Sequence, residues 1–394
     1  MFWNLKVKDN IGELIFDHPE KPVNTLGQKP MEQLNDQLDQ LEQENLDGLL
    51  ITSGKETNFI AGADIQELQQ VEDQEKAFEV SRKGQKTFQR IEKLPYPAIA
   101  LVHGACLGGG FELALACDYR IASNSNKTEL GCPEVKLGII PGWGGSQRLP
   151  RLIGLKNSIR KLLKGSSYAP DEAQSKGVVD QVIQKEHMKR EARQWIQSGQ
   201  FPPQSSPGWD NWGPVRWYIL NQAQEKTMAD TRGNMPAPLA LIRTIRQGMK
   251  TDLDSALEIE AEEFAALTTT QECKNLIRVF FLKRRQENYR YDGPEVPTPK
   301  RIGVIGAGTM GSGIAHWTSS RDLEVPLVDI DEAAVRDGLN RIEKLFDKGI
   351  KAGAVTEKKK RRSLRRIHPS TNYDSLKGSD LIIEAVLEDL DVKA

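Results

Sequence analysis

The chain has 394 residues, 38% of them hydrophobic and 28% charged, with a formal net charge of −1. That length exceeds an average domain of roughly 100–200 residues and predicts two or three folded units. The composition excludes wholesale disorder, and the near-zero charge excludes a global field that would gather nucleic acid.

No apolar run approaches the roughly 20 residues that span a bilayer. The opening MFWNLKVKDN lacks the basic start and apolar core of a secretory leader. Cys106, Cys117, Cys132 and Cys273 form no CxxC pair, so free thiols in a reducing cytosol are expected and no metal site is predicted.

In chain order, Gly12 to Phe16 reads as a strand. Lys29 to Leu46 reads as a helix, with Met31, Leu34, Leu38 and Leu41 at helical spacing. Gly48 to Thr52, Pro97 to Val102 and Tyr119 to Ala122 are short buried strands. Strands separated by helices indicate an α/β unit. From Gln197 to Pro238, Pro202, Pro203, Pro207 and Pro214 punctuate a connector. Its Trp209, Trp212 and Trp217 suggest that it packs against something. Leu253, Leu257, Phe264 and Leu267 then mark a helix, which Leu276, Val279, Phe280 and Leu282 extend. Tyr291 to Pro299 carries three prolines and reads as a linker.

Beyond it, Arg301 to Ile305 is a predicted strand, Thr309 to Ser320 a helix, Glu324 to Val328 a strand and Glu332 to Gly349 a long helix. Asp380 to Val386 is a further buried strand. This is the βαβ pattern of an open parallel sheet, with too few strands for a complete doubly wound domain. The basic run Lys358 to Arg366 lacks interleaved aromatics; it reads as a solvated helix face and loop, and no nucleic-acid partner is expected.

Three segments carry chemistry in the first half. In HGACLGGGFELALACD (His103 to Asp118) a strand runs through Gly108, Gly109 and Gly110 into a helix. The glycines admit close backbone approach, and the helix start favours negative charge. Glu112 lies in the first helical turn, where charge complementing the dipole is the ordinary account of it taken alone. Glu134 lies in a loop within ELGCPEVKLGIIPGWGGSQR (Glu129 to Arg148), and by itself reads as an exposed carboxylate. FIAGADIQEL (Phe59 to Leu68) adds a Gly-Ala-Asp turn with further backbone donors, its Asp64 suited to capping a helix.

Taken together, the three segments resemble the crotonase (enoyl-CoA hydratase/isomerase) family over about residues 10 to 190, including Lys164 to Val182. The resemblance implies a ββα spiral fold and an acyl-CoA thioester substrate. It implies an oxyanion site made by the N–H groups of Ala63 and Gly109, and catalytic carboxylates at Glu112 and Glu134. Hydration of a 2-enoyl thioester builds negative charge on the thioester oxygen, and each preorganised donor stabilises such charge by roughly 3–4 kcal/mol. Two carboxyls whose proton affinities are pushed apart can take a proton from water and return one to the α-carbon. Glu112 is expected to activate the water and Glu134 to donate. Isomerisation of 3-enoyl to 2-enoyl thioesters is the rival reaction, and a non-catalytic protein binding CoA and NAD the rival of another class.

In the second half, IGVIGAGTMGSGIA (Ile302 to Ala315) places Gly306, Gly308 and Gly311 as GxGxxG between a strand and a helix. Asp329 ends the next strand, where an acid holds ribose hydroxyls and favours NAD over NADP. The stretch from about 300 to 390 resembles the NAD-binding half of 3-hydroxyacyl-CoA dehydrogenases, with Met310 in the glycine loop and Glu384 and Glu388 on the nicotinamide side. No residue matches that family's catalytic His and its carboxylate partner; neither His316 nor His368 is in the right place.

TRGNMPAP (Thr231 to Pro238) and the helices after it resemble the linker of multifunctional fatty acid oxidation α-subunits. The expected organisation is therefore a hydratase domain at 1–190, a helical linker at 191–297 and an incomplete Rossmann-type parallel sheet at 298–394. The resemblance further implies β-oxidation in the cytoplasm, an oligomer, and a thiolase β subunit as partner.

Overall fold

The computed structural model describes the chain except residues 72, 204–208, 288, 290–292, 294–296, 352–353 and 389–394. Two compact units divide it, residues 1–289 and 290–394. Pro207 and most of the Tyr291–Pro299 linker lie outside the described residues.

In the first unit, β1 (Trp3–Lys8) and β2 (Ile11–Phe16) pair antiparallel and precede α1 (Gln28–Leu41) and β3 (Gly48–Ser53). Next come β4 (Asn58–Ile60), α2 (Ile65–Gln69), α3 (Gln74–Glu92), β5 (Ala98–Val102), β6 (Ala105–Leu107) and α4 (Gly109–Leu115). Then follow β7 (Tyr119–Ser123), β8 (Glu129–Gly131), α5 (Gly145–Ile153), α6 (Leu155–Lys164), α7 (Pro170–Ser175), β9 (Gln181–Ile183) and α8 (Lys185–Ser198). One sheet has the order β1-β2-β3-β5-β7-β9, parallel from β2 onward, and a smaller parallel sheet has the order β4-β6-β8. Each chain turn places one strand in the large sheet and the next in the small one. β5 is buried along its whole length. That suits a strand covered on both faces, which reads as a continuous apolar run rather than an alternation.

α1 ends at Leu41, short of the predicted Leu46. Leu46 is instead buried against the backbone at Gly12, a place the chain reaches only by leaving the helix. The predicted connector holds a 19-residue helix, α9 (Gly213–Thr231), with Pro214 at its start. Proline in the first helical turn forfeits no hydrogen bond, so it marked a beginning rather than an interruption. Trp212 and Trp217 are exposed, at 68% and 62%. α9 buries Leu220 and Thr227 instead, so the expectation that these two tryptophans pack inward is corrected.

α10 (Pro236–Gly248) and α11 (Leu253–Thr268) follow, and a break at Thr269–Thr270 separates α11 from α12 (Gln271–Glu287). α12 buries Cys273 and Ile277 rather than Val279 and Leu282. All four cysteines are free and buried.

The second unit contains β10 (Ile302–Ile305), α13 (Thr309–Ser319), β11 (Val325–Val328), α14 (Glu332–Lys351), α15 (Glu357–Leu364), β12 (Ile367–Ser370) and β13 (Leu381–Glu384). Its parallel sheet has the order β12-β11-β10-β13. β13 stands at an edge with Leu381 and Ile382 exposed, which corrects the expectation of a buried strand. The basic run falls largely on α15, whose only buried residue is Ser363. No helix among the described residues is long and apolar enough to cross a membrane.

Candidate functional site

The three segments singled out in the first half converge on one cavity of about 700 Å³ lined by Ala63, Gly109, Glu112, Glu134, Trp143 and Phe264, among others. β4 leads into the Gly-Ala-Asp turn, where Leu26 N–H donates to Gly62 O and Asp64 N–H donates to Leu26 O. Those bonds clamp the turn on both sides of Ala63. Asp64 caps α2 through Gln66 N–H and pairs with Lys21.

β6 leads into the glycine triplet at the start of α4. Each glycine is needed by a different neighbour. A Cβ on Gly108, at φ +50°, would meet Glu134 Oε1; one on Gly109 would meet the Trp143 ring; one on Gly110 would meet Ile60 O. Gly109 is the first residue of α4, whose leading N–H groups have no intrahelical acceptor. Among the described residues neither Gly109 N–H nor Ala63 N–H has a hydrogen-bond partner. These are the two donors expected to hold a thioester oxygen.

Glu112 is buried at 2% exposure. Its Oε1 accepts the N–H groups of Trp143 and Gly145, each at 2.8 Å. Burial raises its carboxyl to about 7, although these donors and the nearby Arg148 pull the other way. Glu134 opens a short 3₁₀ turn after Pro133. Burial, then the charge of Glu112, hold its proton affinity well above the ordinary carboxyl value. Its Oε2 is buried with no partner among the described residues. Such an atom costs roughly 1–3 kcal/mol unless another molecule satisfies it. Glu112 is thus tied down by two amides while Glu134 keeps one oxygen uncommitted.

One further carboxyl escaped the sequence reading. Glu260 on α11 is fully buried and accepts Gly144 N–H at 2.6 Å. Its only sequence signal is an acid at a position that should be apolar on a helix carrying Leu257 and Phe264.

In the second unit, β10 enters the glycine loop and α13 leaves it. A Cβ on Gly306 (φ +93°) would strike Ala385 O, and one on Gly311 would strike Gly306 O. At Gly308 nothing lies within 4 Å of an added Cβ, so the loop backbone there is approachable. Asp329, one residue past β11, accepts Ala307 N–H at 2.5 Å and Ile330 N–H at 2.7 Å. Met310 is 70% exposed, and Glu384 and Glu388 are exposed beside and beyond the end of β13. These residues lie at the carboxyl ends of parallel strands, where nucleotides bind in such sheets. They fit a dinucleotide.

His316 packs on Phe346 with ring centroids 4.3 Å apart. His368 pairs with Glu324 at 2.6 Å. That pair sits at the amino ends of β11 and β12, away from the glycine loop, so neither histidine is brought to the loop.

A ββα spiral with unpaired backbone donors beside two buried carboxyls defines a protein of crotonase fold. The chain belongs to the enoyl-CoA hydratase/isomerase family, which residues 6–203 match. Residues 301–394 match the NAD-binding domain of 3-hydroxyacyl-CoA dehydrogenase. The fatty acid oxidation complex subunit alpha of Vibrio vulnificus is 36% identical over 99% of this chain and 57% of its own length. The subunit of the same name from Aliivibrio fischeri is also 36% identical, over 98% and 57%. The chain thus spans little more than half of these relatives. Human mitochondrial Δ3-Δ2-enoyl-CoA isomerase shares the fold, with a TM-score of 0.56 at 21% identity over 73% of this chain and all of that one.

Proposed function

We propose that the first unit hydrates 2-enoyl-CoA thioesters to 3-hydroxyacyl-CoA within fatty acid β-oxidation. The observation that carries this reading is the pair Glu112 and Glu134, two buried carboxyls of unequal acidity in one cavity with the unpaired N–H groups of Ala63 and Gly109. The thioester oxygen accepts from Ala63 and Gly109. Glu112, the first to ionise, takes a proton from water as its oxygen bonds to the β-carbon. Glu134, which keeps its proton longer, delivers it to the α-carbon as the enolate collapses. The unsatisfied Glu134 Oε2 supports its contact with a reacting molecule. Lys76, Lys83 and Lys86, exposed on α3 and lining the same cavity, suit the phosphates of CoA.

The test is kinetic. Glu112→Gln and Glu134→Gln should each lower kcat on crotonyl-CoA by about 10²–10⁴-fold, the usual span for positioned acid or base groups. Wild-type turnover of 3-enoyl but not 2-enoyl thioesters would establish isomerisation instead. Turnover of neither would leave a binding protein.

The second unit is read as the NAD-binding part of a 3-hydroxyacyl-CoA dehydrogenase. Gly306, Gly308, Met310 and Gly311 would hold the pyrophosphate side, Asp329 the ribose, and Glu384 and Glu388 would flank the nicotinamide. NAD, when bound, supplies the hydride acceptor for oxidation to the 3-oxoacyl thioester. The family matches at 6–203 and 301–394 support two domains flanking a connecting segment, for which we propose functional boundaries of 1–190, 191–297 and 298–394. The relatives' designation as subunit alpha of a complex supports a multi-subunit assembly; a thiolase β subunit as the partner and action in the cytoplasm follow from the resemblance alone, and co-purification of tagged protein with a thiolase tests the partnership.

A further inference from the structure

The turn Trp143–Ser146 offers four consecutive backbone N–H groups to two carboxyls in strict alternation. Trp143 and Gly145 serve Glu112 Oε1. Gly144 donates to Glu260 Oε1 at 2.6 Å and Ser146 to Glu260 Oε2 at 3.0 Å. The Ser146 hydroxyl adds a bond of 2.5 Å to Oε2, and the Gln85 amide one of 3.3 Å to Oε1. Gln85 also donates to Gly142 O and Leu257 O, tying the turn to α3 and α11.

A buried carboxyl is a costly way to join a helix to a turn. Desolvating a charged group costs several kcal/mol, and an apolar side chain of similar volume is often as stabilising. What an apolar residue cannot do is fix the direction of alternate amides. Rotating any peptide of this turn to release Glu260 would also turn the N–H groups that converge on Glu112.

We propose that Glu260 is a positioning residue of the hydration site, aligning the turn that holds Glu112 and setting a third carboxyl against Glu134. The proposal rests on the hydratase reading. It makes α11, more than 100 residues beyond the turn, an integral part of that site.

The charged neighbours of Glu260 are few. Glu112 on α4 and Arg148 on α5 act on it most strongly, and it acts in turn on Glu134, Cys132 and Arg151. On α3, Arg82 and Glu92 are engaged by Asp254 and Arg148. On α10, Arg243 pairs with Glu263 and Arg246 bonds Asn221 and Gln224. Glu272 and Lys274 of α12 are exposed. Burial and the charge of Glu112 raise Glu260 to about 8. Its ionisation adds to the like charge that makes Glu134 keep its proton.

The test uses the whole chain with Glu260→Gln, which keeps the shape and removes the charge. Infrared titration of the buried protonated carboxyl band needs no substrate, and Glu134→Gln identifies the Glu134 component. Glu134 should lose its proton at lower pH in Glu260→Gln than in the wild type. On crotonyl-CoA, kcat should fall about 10–100-fold with KM within about threefold, the scale expected for a misplaced catalytic group. A purely architectural residue would lower the melting temperature and leave the Glu134 titration unmoved.

Should Glu260→Gln fail to fold, Ser146→Ala decides. Removing a donor from the Glu260 carboxylate makes that group hold its own proton longer, so Glu134 should shift the same way by less. An unmoved Glu134 titration in the folded variant overturns the proposal, whatever the rates. Wild-type protein unable to hydrate crotonyl-CoA overturns the hydratase reading instead, and the titration still decides the role of Glu260.

Discussion

The two sites of this molecule are built on opposite plans. In the first unit the working groups are carboxyls taken out of water, drawn from separate stretches: Glu112 from α4 and Glu134 from the 3₁₀ turn as the reacting pair, with Glu260 from α11 behind them. In the second unit the working parts are largely the backbone of one glycine loop, joined by the exposed or half-exposed acids at the strand ends, with Met310 and Ile330 exposed. Proton transfer needs carboxyls whose acidity is displaced by burial and by each other. Gripping a pyrophosphate needs only N–H groups and space. A buried site is therefore sensitive to volume and charge, whereas an open loop is sensitive to backbone shape.

The largest effect expected from this contrast is on Gly109. In Gly109→Ala the new methyl would press on the Trp143 ring, whose nearest atom lies 2.4 Å from the added carbon, and tilt an oxyanion donor. Loss of one such donor costs about 10²–10³ in kcat. Steady-state hydration of crotonyl-CoA measures it, and a loss below about tenfold would mean that Gly109 N–H does not serve the oxyanion.

A smaller effect is expected in the second unit. Asp329→Ala removes the acceptor of Ala307 N–H and the proposed ribose ligand together. NADH affinity, followed by its fluorescence, should drop about tenfold, the worth of roughly 1.4 kcal/mol, while crotonyl-CoA hydration stays at the wild-type rate. Coupled losses of both would break the comparison.

The third effect concerns stability. Glu134 has its folded-state proton affinity raised, so the folded chain binds more protons than the unfolded one as pH climbs above the ordinary value of 4.5. Its ionisation therefore destabilises the fold progressively with rising pH, by at most about 1.4 kcal/mol per pH unit within that window. Glu134→Gln removes this penalty. Thermal melts should show the variant more stable than wild type by a few degrees near neutral pH, with the gap closing toward pH 4.5. A gap independent of pH would contradict the assignment.

The smallest effect is expected at His368. Its pair with Glu324 is exposed and lies at the wrong strand ends for the glycine loop. His368→Ala should leave NADH affinity unchanged within twofold, about 0.4 kcal/mol.

Much of the first site is legible in the sequence. GAD, GGGFE and CPE each carry a local reason for their residue types, and all three meet in the cavity. The glycine loop was easier still, because GxGxxG and Asp329 belong to one βαβ unit. Strands β4, β6 and β8 were missed because three residues are too few for a period to register. α9 was missed because Pro214 resembles punctuation and the helix lacks a single apolar stripe. Glu260 left only a weak signal, an acid on the apolar side of α11, because a glutamate on a helix is ordinarily solvated and nothing local to α11 reveals that its position faces the 143–146 turn.

What the chain's sequence determined by itself is whatever depends on neighbours in the chain: the parallel strands, the positive-φ glycines and the amides left unpaired at a helix start. Tertiary structure alone decided which carboxyls are dehydrated and which of them feel one another. Burial and Coulomb interaction depend on distance through space, and residues 112, 134 and 260 become neighbours only when the spiral and α11 have closed around them.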